Sequence, residues 1–344
     1  MTNSRHELLW TSIATVDLHD TGEGHPERTE RLPAVAAGLA VPAIAEATRR
    51  FDGRKATMDE LSLAHNRSHL EKLEAFVTGG GGAIDPDTVT SFGSWDTALW
   101  AAGSGLAAID ELEQGHASAA FVGIRPPGHH ATATRAMGFC LVNNVAVAAA
   151  ALADRGERVA IIDWDVHHGN GTQDIFWDDP RVLYASIHEH PAYPGTGSAS
   201  EVGGDRARGT NVNVPLPRGA TGDVALAAFD QVIGPIAAAF EPTWVLISAG
   251  YDAHRADPLA NLEWSAGDYA LLTQRVVGLA PQPGRTVVFL EGGYDLAALT
   301  NSITATAAEL TGVRHDVEPP TSGGPGRDAV ASAATRHIVG LEKP

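Results

Sequence analysis

Cysteine is nearly absent from this chain of 344 residues: Cys140 stands alone, which excludes an intramolecular disulfide framework and fits a reducing compartment. Basic residues are scarce as well. With 24 Lys and Arg against 42 Asp and Glu, the formal charge is −18, which argues against an electrostatic grip on nucleic acid or anionic membrane. Long apolar runs are missing: stretches such as AVAAAALA are too short to cross a bilayer, and MTNSRHELLW has no apolar segment of the kind a secretion signal carries. The sequence therefore leads us to expect a cytoplasmic protein with no nucleic-acid or membrane partner. Aromatic residues make up only 6%, yet 44% of the chain is hydrophobic and 19% charged. That is ample aliphatic mass for a large globular core.

No repeat of solenoid period occurs. Short runs rich in Val and Ile alternate with longer Ala/Leu stretches of helical period. The spacing predicts strands at 118–124, 158–165, 182–188, 210–216, 243–249 and 286–291. It predicts helices at 29–40, 58–76, 96–114, 143–154, 223–240, 267–279 and 295–311. Nearly continuous apolar strands separated by helices indicate a mostly parallel α/β sheet covered on both faces. GGGGAIDPDT at 79–88 reads as a flexible loop, and PPTSGGPG at 319–326 as the start of a C-terminal tail or extension. The expected division is a single domain over 1–318 followed by 319–344.

Chemistry-bearing residues follow the predicted strands. RPPGHH follows the run at 118–124, DVHHGNG the run at 158–165, GYDAH the run at 243–249 and GGYD the run at 286–291. Ligands in open α/β sheets bind beyond the carboxyl ends of strands, so four strands deliver polar groups to one edge. Asp165 and His167, two apart, share a side and can reach one ion, with Asp163 deeper in the strand. An open catalytic zinc site needs a third protein ligand, for which Asp252 is the best candidate; His188, His190 and His254 are alternatives. Alone, Asp165 would read as a helix cap and His167 as a surface histidine. His129 and His130 suit general base work beside a metal, with Asp163 and Asn170 free to orient them. Tyr294, after paired glycines, suits donation to a developing oxyanion. His168 has no evident duty beyond structure.

Together RPPGHH, GFCLVNN, DWDVHHGNGTQ, YPGTG, SAGYDAHRADPL and EGGYDL, with GHPERTERL before them, resemble the zinc-dependent histone deacetylase family, including its bacterial class II-like histone deacetylase-like amidohydrolases. The resemblance implies a single-domain arginase/deacetylase fold around a sheet of about eight strands. It also implies hydrolysis of acetyl-lysine, or a similar acylated amine, by metal-activated water. Asp165, His167 and Asp252 become zinc ligands, with iron(II) possible in vivo. His129, His130, Asp163, Asn170 and Tyr294 become the catalytic set. Phe139, Tyr193, Gly138, Gly292 and Leu259 would contact the acyl-lysine, and Arg31 would lie near an inner cavity. A structural potassium ion would use Asp163, Ser186, Ile187 and the backbone of Asp165 and His167.

Two departures from the family pattern stand out. Asn170 replaces an aspartate found in class I members, and a neutral amide there leaves His130 a neutral base at pH 7. Tyr193 replaces a frequent phenylalanine, making the channel less apolar. The rivals are deacetylation of acylated polyamines or other small amides, with Asp85, Asp87 and Glu189 near the mouth, and a catalytically weak acyl-lysine-binding module. An arginase-like dimanganese site fits less well, since HHGNG and GYDAH offer too few carboxylates.

Overall fold

The structure is a computed structural model that describes residues 7–337 apart from residue 15. Eight strands form one sheet: β1 (Leu8–Ser12), β2 (Thr48–Arg50), β3 (Ala119–Gly123), β4 (Val159–Asp163), β5 (Val182–Glu189), β6 (Asn211–Leu216), β7 (Trp244–Ala249) and β8 (Thr286–Leu290). All neighbours are parallel, in the order β2-β1-β3-β8-β7-β4-β5-β6. Strands β3, β4, β7 and β8 are buried at every position, as strands covered on both faces must be. The four strands that end in reactive motifs are therefore consecutive at the centre of the sheet, and their carboxyl ends share one edge.

The principal helices are α1 (Arg31–Leu39), α2 (Arg67–Thr78), α3 (Ser94–Glu113), α4 (Asn144–Asp154), α5 (Asn170–Phe176), α6 (Gly222–Phe240), α7 (Ala266–Val277), α8 (Leu296–Thr311) and α9 (Arg327–His337). Helices α2 to α5 pack together on one face, and α1, α6, α7 and α8 on the other. Helix α8 starts where the Asp295 carboxylate accepts from Ala298 N at 2.8 Å, a side-chain cap, and stops at Gly312 with φ 66°.

Two expectations change. Gly82–Ala83 pairs antiparallel with Val89–Thr90, and Asp85 Oδ1 accepts from Thr88 N at 2.7 Å, so 79–88 is an ordered hairpin turn. Helix α6 spans 19 residues and by length and composition alone could cross a membrane, contrary to the run-length reading; half of it is buried, where it packs against α7 and α9. Beyond 318, the chain straps back across the fold, Thr321 bonding the Asp268 carboxylate, and α9 buries Val330 and Ala333 beside β6. Residues 338–344 of the expected extension lie outside the described residues.

Candidate active site

At the end of β4 the chain leaves the sheet through Asp163, Asp165 and His167. Asp163 Oδ1 accepts from Asp165 N at 3.0 Å and Asp165 Oδ1 from His167 N at 2.9 Å, a ladder that holds the side chains on one side. Beyond β7, Asp252 Oδ1 accepts from Val166 N at 2.9 Å, and beyond β8, Gly292 N donates to Asp165 Oδ2 at 2.8 Å. One ligand atom from each of Asp165, His167 and Asp252 lies within 4.8 Å of the others. His167 Nδ1 stands 3.1 Å from Asp165 Oδ1 and 3.2 Å from Asp252 Oδ2.

The donor set fits a divalent cation. Asp252 Oδ2 is fully buried and faces His167 Nδ1 at 3.2 Å without a well-aligned hydrogen bond, a costly condition for a carboxylate oxygen that a cation would relieve. Asp163, Asp165, Asp252 and Glu291 are all buried within this region. Burial and the neighbouring Asp165 charge push the Asp252 carboxyl up. Two carboxylates and one imidazole leave room for water or substrate in an open zinc-type site. Cβ atoms have no space here: one on Gly292 would stand 2.0 Å from Asp252 Oδ2 and 2.6 Å from Asp165 Oδ2.

The histidine pair comes from the loop after β3. His129 Nδ1 donates to Asp163 Oδ2 at 3.0 Å, and His130 Nδ1 lies 2.8 Å from Asn170 Oδ1. The Asn170 amide nitrogen faces the His130 carbonyl at 3.4 Å, so the amide oxygen points at Nδ1. That pairing puts the neutral His130 proton on Nδ1 and leaves Nε2 with its lone pair. Burial lowers the His129 imidazole, but the Asp165 and Asp163 carboxylates outweigh it and push it up to about 10. Burial, with His129 and His167 beside it, holds His130 well below its ordinary value. The two rings, with centroids 4.1 Å apart, thus sit in opposite electrostatic surroundings.

Tyr294 is 7% exposed. Its ring sits under the Arg31 guanidinium at 5.0 Å and edge-on to Phe139 at 5.9 Å. Burial and Asp252 push its phenol well up, so the hydroxyl is neutral. Phe139 adopts φ 66°, with its N–H donating to Thr88 Oγ1 at 3.1 Å, while Tyr193 meets the His130 ring edge-on at 5.1 Å. Gly138 lies against the His130 ring, where a Cβ would come within 2.5 Å of it. Leu259 is 41% exposed; Asp257 accepts from its N–H at 3.0 Å and from Tyr294 N at 2.7 Å. Ser186 lies opposite Asp163 in the β4–β5 register, with Ile187 next to it.

The alternative ligands lie outside the triad. His188 bonds Ser186 Oγ and Gly197 O, His254 bonds Glu318 at 3.0 Å, and His190 is exposed. His168 bridges Thr196 Oγ1 and Gln173 Oε1 at 2.7 and 3.0 Å. Glu189 is tied to Asn261, whereas Asp87 lies beside the wall: its carbonyl meets His25, which packs on Phe139. Sequence reasoning missed Tyr184, whose hydroxyl donates to Asp163 Oδ2 at 3.0 Å, and Asp257 under the Tyr294 backbone. The DPL spacing carried a signal for Asp257. For a tyrosine inside an apolar strand there was none.

Comparison with known proteins agrees with this arrangement. The histone deacetylase domain model matches residues 25–310. A probable deacetylase of Archaeoglobus fulgidus is 40% identical over 283 residues, covering 81% of this chain and 79% of its own. A histone deacetylase-like amidohydrolase of Pseudomonas aeruginosa is 37% identical over 302 residues, covering 86% of this chain and 80% of its own. The crystal structure of an HDA15 HD domain superposes with a TM-score of 0.88 at 36% identity, covering 97% of this chain and 95% of that one.

Proposed function

Because the chain belongs to the histone deacetylase family and is a deacetylase-type hydrolase, we propose that it cleaves the amide of acetyl-lysine, releasing acetate and the free amine. The observation that carries this reading is one cation-ready triad, Asp165, His167 and Asp252, beside a histidine pair whose Nδ1 atoms are held by Asp163 and Asn170. The triad would hold zinc, or iron(II), whose ligand preferences overlap here. Such an ion, when bound, supplies Lewis acidity that polarises the scissile carbonyl and acidifies water. A potassium ion would use Asp163, Ser186, Ile187 and the Asp165 and His167 carbonyls, close to the same buried carboxylates.

The chain's own groups then divide the work. His130 Nε2 takes the proton of the attacking water, since Nδ1 is engaged by Asn170. His129, cationic against Asp163, stabilises negative charge as it grows. The imidazolium formed on His130 returns its proton to the leaving amine. Tyr294 donates to the tetrahedral oxyanion. Phe139 and Tyr193 flank the acyl-lysine stem, Gly138 lets that wall close on His130, and Leu259 lies at the rim.

Two variants probe the assignments. Asn170→Asp places a carboxylate 2.8 Å from His130 Nδ1, which favours the imidazolium and raises its pKa. The base form then requires higher pH, so the acid limb of kcat/KM is expected to move up by roughly one unit; an unmoved limb would remove His130 as the base. Gly292→Ala drives a Cβ into both carboxylates and is expected to weaken zinc binding by at least about tenfold in a chelator competition.

Deacetylation of a small acylated amine is the second reading, supported by Asp85 and Asp87 beside the His25–Phe139 wall. An acetyl-lysine peptide, trifluoroacetyl-lysine and acetylputrescine assayed in parallel separate the readings. Turnover of acetylputrescine alone would move the assignment to polyamines, and of the trifluoroacetyl amide alone to a weak catalyst.

A further inference from the structure

One buried carboxyl in this region has no part in the chemistry above. Glu291, fully buried, follows β8 directly. Its side chain reaches the loop after β3. Oε2 accepts from Gly128 N at 2.6 Å and from His129 N at 3.2 Å, and Oε1 accepts from Ser248 Oγ on β7 at 3.1 Å. Burial raises this carboxyl to about 7, so keeping it inside is costly, and its three acceptor bonds offset that cost.

We propose that Glu291 is a positioning residue that fixes the distance between the histidine pair and Tyr294, through its bonds to the Gly128 and His129 backbone. The proposal rests on the deacetylase reading. His129 is held at both ends: Asp163 takes the ring Nδ1, and Glu291 takes the backbone N–H. Only a glycine fits before it, because a Cβ on Gly128 would stand 2.5 Å from Asn144 N. The same residue starts the turn that carries Tyr294. Its carbonyl accepts from Arg31, whose Nε also donates to Gly293 O at 2.7 Å and whose guanidinium covers the Tyr294 ring. Proton acceptor and oxyanion donor come from different strands, β3 and β8, and the Glu291 side chain ties one to the other. Chemistry of this kind tolerates little misplacement, since a shift of about 1 Å can cost about a hundredfold in rate.

The test compares Glu291→Gln with Glu291→Ala. A glutamine keeps a carbonyl oxygen for the two N–H donors and presents an amide to Ser248 Oγ, so geometry survives without charge. Expected for Glu291→Gln is kcat within about threefold of the unaltered protein. For Glu291→Ala, kcat falls by roughly 30- to 100-fold while KM stays within about twofold. A readout independent of turnover comes from the metal-free protein: the downfield Nδ1 proton resonance of His129 persists in the glutamine variant and is lost in the alanine variant. Unchanged kcat and an intact resonance in Glu291→Ala would overturn the proposal. So would equal losses of kcat in both variants, which would assign the effect to charge. If the unaltered protein turned over no acylated amine, the deacetylase reading would fail, yet the resonance comparison would still decide whether Glu291 positions His129.

Discussion

Asp252→Asn is expected to reduce both zinc affinity and kcat/KM on an acetyl-lysine peptide by about a thousandfold or more, since the proposed ion would lose one of its three ligands. The substitution is nearly isosteric. Its remaining oxygen still accepts from Val166 N, the 2.9 Å bond that Asp252 Oδ1 makes now. The folded metal-free chain loses one of several buried negative charges, and Oδ2, 3.2 Å from His167 Nδ1, becomes an amide. His167 keeps Asp165 as its ion-pair partner at 3.1 Å, so the metal-free variant should melt within a few degrees of the metal-free unaltered protein. The two results together mark a residue kept for binding. A structural aspartate would show the opposite pattern, lower stability with metal affinity retained, as measured by thermal melting and zinc titration.

Tyr294→Phe is expected to lower kcat by about a hundred- to a thousandfold, about 3 to 4 kcal/mol of transition-state stabilisation, with KM little changed. The ring keeps its place under Arg31 and against Phe139, and the backbone anchor of Tyr294 N on Asp257 is untouched. Only the hydroxyl is lost. Trifluoroacetyl-lysine, whose oxyanion is stabilised by its own fluorines, should lose much less. Near-full turnover of the acetyl substrate by this variant would leave the oxyanion without its assigned donor.

How much of this was written locally in the chain differs from element to element. Strands β3, β4, β5, β6, β7 and β8 are short apolar runs, and runs of that kind announce themselves. The edge strand β2, TRR, carries no apolar pattern, so period and hydrophobicity were silent. Helix α5 opens at Asn170 with the polar NGTQ, and α9 is largely polar and Ala-rich; both owe their order to packing rather than to an amphipathic stripe. The proposed metal triad was legible because its members cluster at two strand ends. Tyr184 and Glu291 were not. Tyr184 meets Asp163 across the sheet, 21 residues on, and Glu291 meets Gly128 at a separation of 163. Contacts of that range exist only once the strand order is known. The hairpin at 79–88 misled for a different reason: four glycines suggested freedom, while Asp85 and the Thr90 pairing supply the hydrogen bonds that remove it.

The most direct measurement is a titration of the metal-free protein with zinc while acetyl-lysine peptide hydrolysis is followed. A single three-residue site requires no turnover without metal, a linear rise on addition, and a break at about one equivalent. Turnover by the metal-free protein, or a fully zinc-loaded protein that leaves acetyl-lysine intact, would contradict it.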